Sequence, residues 1–179
     1  MRDLLECAGR AQRRRRFGLV TESDAIDLGT MGGTYSEASD MNEIKGTVGR
    51  SQISAGYWRA YFLPIDCTAL GGNTIYQIRA LPGVTLTDSE SAAYGVNQNG
   101  QVVGQTQDQN HANRAFLYCN QTGITTDLTT MTLEGGQTPA GLGWTLTTAK
   151  SINDAGVIIG TGSQNGVNKS WILYPDCQD

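Results

Sequence analysis

Charge, histidine and long apolar runs are all scarce in this chain. Charged residues fill 17% of its 179 positions, against ~25% in an average soluble domain, which excludes an extended charged coil and a coiled coil. No apolar run approaches the ~18 residues that a membrane-spanning helix needs, so no membrane partner is expected. There is one histidine, His111, and the four cysteines (Cys7, Cys67, Cys119, Cys177) form no Cys-x-x-Cys pair. Zinc takes clustered ligands at short spacing, so no metal site is expected. Reduced, half-buried thiols are the default for cysteines so dispersed. A disulfide between two of the last three is the alternative in an oxidising compartment.

The signatures of common catalytic sites are missing too. Gly29-Thr30-Met31-Gly32-Gly33 lacks the lysine that a phosphate-binding loop would use. There is no Gly-x-Ser-x-Gly elbow for a serine nucleophile, and the Asn/Asp turns do not alternate ligands toward a closing glutamate as a calcium loop does. No catalytic residue and no cofactor is expected.

The charge that is present is unevenly placed. Residues 1–16 carry a net +4, including the run Arg13-Arg14-Arg15-Arg16, and the remainder carries −8. An acidic body repels phosphate backbones, so nucleic acid is not an expected partner. Residues 1–20 read as a basic, mobile terminal segment and 21–179 as a single domain. The apolar stretch Phe17-Gly18-Leu19-Val20 ends at Thr21-Glu22, short of the ~7–15 residues of an export signal. As given, the chain reads as cytoplasmic.

Glycine is abundant, with 23 residues, and it falls within a threefold internal repeat. Ala38 to Gly49, Ala93 to Gly104 and Ala149 to Gly160 align without gaps. The repeat asparagines are Asn42, Asn97 and Asn153, each followed by an apolar pair or Thr-Val and then glycine. A second shared block follows: Arg59-Ala60-Tyr61-Phe62-Leu63, Arg114-Ala115-Phe116-Leu117-Tyr118 and Lys169-Ser170-Trp171-Ile172-Leu173. The repeats span about 27–80, 81–131 and 132–179.

Asn97-Gln98-Asn99-Gly100 and Asn153-Asp154-Ala155-Gly156 read as tight turns, with glycine where a left-handed backbone is needed. In the first repeat Lys45 holds the glycine position, which predicts a different turn. The second shared block is apolar on both faces, which predicts a third strand buried between two layers. Thr74–Ile78 and Gly123–Leu128 supply fourth strands. After the third repeat none follows, and the matching segment is Asp24-Ala25-Ile26-Asp27-Leu28. That segment is predicted to complete the last sheet, either by closing a ring or by exchange between subunits, and so to remove an unpaired edge. The fold expected is all-β, with three repeats of four-stranded antiparallel sheet arranged like propeller blades. A β-prism with pseudo-threefold symmetry is the alternative. Propellers close with about 4–8 blades, so three repeats point to a homo-oligomer.

Asp27-Leu28-Gly29-Thr30-Met31-Gly32-Gly33-Thr34-Tyr35-Ser36-Glu37-Ala38, continuing to Met41-Asn42, resembles the HAF-repeat family of bacterial proteins. Asn97 to Gly104 and Asn153 to Gly160 are similar to that family's hairpin. The resemblance covers roughly 25–175 and implies an extracellular, propeller-like architecture without an assigned activity. The family's histidine before Ala-Phe is Arg59, Arg114 and Lys169 here.

Function in repeat folds concentrates where the copies differ. The unique loops are Ile65–Asn73, Gln107–Asn113 and Thr132–Thr145. Aromatics beside amides suit flat sugar or peptide faces, so Tyr57, Trp58, Asn110, His111 and Trp144 are the candidate binding residues. The expected function is a non-enzymatic binding or assembly module for a glycan or peptide. The rival is a hydrolase-like enzyme whose site forms at a subunit interface from His111, Glu134 or Asp108.

Overall fold

A computed structural model describes residues 27–43, 46–63, 76–78, 81–85 and 87–174. The arginine-rich segment, residues 24–26, the Ile65–Asn73 loop, Lys45, Cys7, Cys67 and Cys177 lie outside the described residues.

The described chain is all-β, apart from a single 3-10 turn at Ala140–Leu142. Sheet 1 has the order β1 (Gly32–Asn42), β2 (Gly46–Ile53), β3 (Trp58–Leu63), β4 (Tyr76–Gln77). Sheet 2 repeats the order with β5 (Ser91–Val96), β6 (Gln101–Gln107), β7 (Asn113–Cys119) and β8 (Ile124–Asp127). Sheet 3 contains β9 (Trp144–Ile152), β10 (Ile158–Gln164) and β11 (Val167–Leu173), with β10 in the centre. All these neighbours pair antiparallel.

The turns follow from the repeat. Gly100 and Gly156 stand at φ +71° and +80°, and their N–H groups donate to the carbonyls of Asn97 and Asn153 at 3.1 and 3.0 Å. The repeat's second glycine has a different cause. A Cβ on Gly49, Gly104 or Gly160 would lie 1.9, 2.1 and 2.1 Å from the carbonyl oxygens of Glu37, Ala92 and Thr148. Close approach of the first strand therefore demands glycine at all three positions.

The sheets pack in series. β5 lies across β1, β2 and β3, and β9 lies across β5, β6 and β7. One core joins sheets 1 and 2 through Val48, Ala60, Phe62, Val96, Val102 and Phe116. The other joins sheets 2 and 3 through Val103, Leu117, Leu146, Ile152, Ile158 and Trp171. Neighbouring residues of β6 thus serve opposite cores, Val102 facing sheet 1 and Val103 facing sheet 3.

Four expectations are corrected. Among the described residues sheet 3 has three strands, and neither Asp27 nor Leu28 is in a strand. Asp27 and Leu28 therefore do not complete the last sheet within one chain, where sheet 2 stands between sheet 1 and sheet 3; exchange between subunits is not tested by a single chain. No closed propeller is formed among the described residues. Burial of the third strand on both faces holds for β3 and β7 but fails for β11, where Trp171 is buried and Ile172 is 58% exposed. Finally, Cys119 is disulfide-bonded rather than a free thiol; its partner lies outside the described residues.

Candidate functional site

An open groove of about 840 Å³ runs where β8, the Asp108–Asn110 turn, the Leu81–Val84 connection and the start of β9 meet. Its polar wall is built on one aspartate. Asp108 Oδ1 accepts hydrogen bonds from the Asn110 and Ala112 N–H groups at 2.8 and 3.0 Å, folding the loop into a turn. Asp108 Oδ2 accepts from Arg114 Nε at 2.9 Å. The Asn110 N–H, together with Arg114 and the Ala112 N–H, holds the Asp108 carboxyl below the usual range.

Asp127 stands at the end of β8 in the same wall. It accepts a hydrogen bond from the Thr129 N–H at 2.8 Å. Burial nevertheless dominates and pushes its carboxyl up. Two carboxyls of opposite shift therefore share a groove with one guanidinium. Trp144, half-buried, adds an apolar face to the lining, and Gln109 and Asn110 add exposed amides.

Of the residues expected from the sequence, Asn110 and Trp144 come together in this groove. His111 does not line it. The imidazole lies beside the loop, with Nε2 3.8 Å from Asp88 and Nδ1 3.4 Å from Gln107 Oε1. The His111 backbone sits at φ +57°, which shapes the turn rather than aiming the ring into the groove. Tyr57 and Trp58 lie at the β2–β3 turn of sheet 1, apart from the groove. The Arg50 guanidinium is 4.3 Å from the Trp58 ring centroid, and Arg50 is itself paired with Glu37 at 2.9 and 3.0 Å. Glu134 is exposed in the glycine turn with Gly135 and Gly136, so His111, Asp108 and Glu134 do not converge within one chain.

The residues missed from the sequence are Arg114 and Asp127. Arg114 occupies the basic position that opens the second shared block, and Asp127 is the acid of an Asp-Leu pair. Both signals were scaffold signals, and their shared groove depends on how β7 and β8 pair. Among the described residues no three His, Cys, Asp or Glu side chains gather in a metal-binding group.

No curated protein and no solved structure matches the chain. Membership of the HAF-repeat family does not stand: the comparison with family models points to a different family. The residues that carried the resemblance are turn and strand residues, chiefly glycines and asparagines. Their geometry is what any repeated antiparallel hairpin selects, so they mark architecture more than descent. Residues 19–171 match the model of a family described as protein of unknown function (DUF3466), and the chain belongs to that family.

Proposed function

We propose that the protein is a non-enzymatic binding module that takes a glycan or a short peptide in the groove beside Trp144 and Asn110. The observation that carries this reading is the composition of the wall. An indole offers a flat apolar face, while Asn110, Gln109, Asp108 with Arg114, and Asp127 offer donors and acceptors along one open groove. Such pairing of a ring with directional polar groups suits a polar ligand with flat faces.

The proposal keeps the sheets in a propeller-like arrangement and the protein as a homo-oligomer, with the β-prism as the alternative. The crossing of each sheet by the next sheet's first strand favours blades, since a prism would need sheet 1 against sheet 3. The disulfide at Cys119 supports work in an oxidising compartment. The acidic body of the chain argues against a nucleic-acid ligand.

Glycan and peptide arrays test the reading, followed by calorimetric titration of the best ligand. Asn110→Ala, at an exposed position, is expected to weaken binding about tenfold, as one lost hydrogen bond to a ligand would, and Tyr57→Ala to leave it unchanged. An Asn110→Ala protein that binds as wild type, or silence on both arrays, would overturn it.

A second reading is supported by the opposite shifts of Asp127 and Asp108, since unlike carboxyls in one cleft suit general acid–base work. In that hydrolase-like reading Asp127→Asn abolishes turnover of a bound ligand without weakening its binding. Equal turnover by the variant, or none by the wild type, sinks it.

A further inference from the structure

We infer that the outer face and edge of sheet 3 form an interaction surface for the β1 end of a second copy of this chain, packed head to tail. The inference gives the proposed homo-oligomer its surfaces, and it is independent of any ligand in the groove.

Equivalent positions of the repeat show what sheet 3 lacks. Val48, Ala60 and Phe62 point from sheet 1 into sheet 2 and are 0%, 0% and 3% exposed. Val103, Ala115 and Leu117 do the same from sheet 2 into sheet 3, at 0%, 0% and 1%. Their counterparts on sheet 3 are Ile159, Ser170 and Ile172. Ile159 is 50% exposed, Ile172 is 58% exposed, and Ser170 is exposed as well. Tyr174, the counterpart of buried Cys119, is 71% exposed. Two of the three facing positions stayed large and apolar although nothing among the described residues covers them.

The opposite end is complementary. The first strand of each later sheet is what crosses the face before it. Ala93 and Val96 of β5, and Ala149 and Ile152 of β9, are all buried in those contacts. In β1 the equivalent Ala38 is exposed and Met41 is 64% exposed. On β2 and β3 the matching face is closed, with Thr47 and Tyr61 at 8% and 1% exposure, so the open part of this end is β1 itself, which leaves exposed the positions that β5 and β9 bury.

Hydrogen bonds across the sheets follow the same series. Asn42 Nδ2 donates to the Asn97 carbonyl at 2.6 Å, and Asn97 Nδ2 to the Asn153 carbonyl at 3.0 Å. Asn153 is exposed, and its Nδ2 has no partner among the described residues. It would stand to Asn42 of a second copy as Asn97 stands to Asn153.

The edge of sheet 3 points the same way. β4 and β8 pair with the third strands of sheets 1 and 2, and the Ile78 and Leu128 N–H groups donate to the carbonyls of Ala60 and Ala115 at 2.9 and 3.0 Å. Among the described residues β11 has no such neighbour. Asp27-Leu28 is equivalent in sequence to Asp127-Leu128. Asp27 Oδ1 accepts from the Gly29 N–H at 2.8 Å just as Asp127 Oδ1 accepts from Thr129. Lent by a second copy, Leu28 would pair with Ser170 of β11. An apolar hollow of about 340 Å³ beside β11, lined in part by Leu133, Leu142 and Ile172, gives an apolar side chain a seat. Strand addition of this kind satisfies an unpaired edge. Because the two surfaces differ, the contact is heterologous.

Sedimentation velocity and light scattering of the ligand-free protein test this, using wild type, Ile172→Glu and Met41→Glu. Both substitutions are at exposed positions, so unchanged melting curves confirm folding. Wild type is expected above the 19.2 kDa monomer mass, and each variant alone is expected to associate about 30-fold more weakly or worse. An equimolar mixture of the two variants restores a one-to-one complex, because each supplies the surface the other has lost. A monomeric wild type, variants that associate as wild type does, or a mixture that stays monomeric while wild type associates would each overturn the inference. A ligand bound by a strictly monomeric protein would leave the groove reading standing and remove this one.

Discussion

Sheet 2 and sheet 3 are made from the same repeat, yet among the described residues sheet 2 is covered on both faces and sheet 3 on one. In β6 and β7 alternate side chains enter two different cores, so Val102 and Val103 are both fully buried. In β10 the same pair splits, with Ile158 at 0% and Ile159 at 50% exposure. The repeat therefore encodes a strand meant to lie between layers, and whether it is covered depends on what stands in the next position. Apolar character at Ile159 and Ile172 is the trace of that code where no neighbour answers it.

Substitutions at matched positions can break or sharpen the comparison. The largest effect belongs to the shared glycine, where no difference between sheets is expected. In Gly104→Ala the new methyl would meet the Ala92 carbonyl at 2.1 Å and the Phe116 ring at 2.8 Å. A loss of about 3 kcal/mol or more, or failure to fold, is expected, with Gly160→Ala behaving alike. Urea denaturation reads both, and a tolerated Gly104→Ala would break the claim that close strand approach fixes this residue.

Next come the facing residues. Leu117→Ala removes a buried side chain between sheets 2 and 3 and is expected to cost about 2–5 kcal/mol. Ile172→Ala, its counterpart on sheet 3, is expected to stay within about 0.5 kcal/mol in dilute, monomeric protein. Equal costs in urea denaturation at low concentration would mean that the face of sheet 3 is already covered.

The asparagines should separate less widely. Asn97 is 2% exposed, and its side chain accepts from the Asn99 and Gln101 N–H groups while donating to Asn153. Asn97→Ala is expected to cost about 2–3 kcal/mol, because buried backbone groups lose their partners. Asn153, exposed and bonded through Oδ1 to the Val157 N–H at 2.9 Å, should cost about 1 kcal/mol when replaced by alanine. Thermal melts of the two variants check the ranking.

The smallest effect concerns pH. The Asp127 carboxyl is raised by burial, so the folded state holds its proton more tightly than the unfolded chain does. Its contribution therefore falls as pH rises from the ordinary aspartate range through the raised value, and acidification restores it. Asp127→Asn should flatten this part of the stability–pH curve, read by urea denaturation across pH. Asp108 has the opposite sign. Its carboxyl is lowered, and the stability it confers is lost as pH falls through that lowered value.

Much of the scaffold was legible because local chemistry fixes it. Asn-x-x-Gly gives a left-handed turn, and short runs apolar on both faces give strands buried on both sides. Long-range facts were not legible. Nothing in the spacing told that Arg114 and Asp127 would share a groove with Asn110, or that Cys119 would be disulfide-bonded. Both depend on how segments distant in sequence meet. Gly49, Gly104 and Gly160 were visible as repeat positions, but their cause, a carbonyl in the place of a Cβ, needed the register of the first strand. Nor did the sequence tell which aromatics would meet: Trp58, half-buried, lies against Arg50, and Trp144 lines the groove. Likeness in turn residues misplaced the family for a related reason, since such residues report geometry that unrelated repeats share.

Hydrogen–deuterium exchange measured across a range of protein concentrations tests the central claim, that the two ends are each other's missing neighbours. Head-to-tail packing predicts that amides of β1 and β11 gain protection as concentration rises, while β6 and β7, buried already, stay unchanged. Protection of β1 and β11 that is the same in dilute and concentrated protein would contradict it.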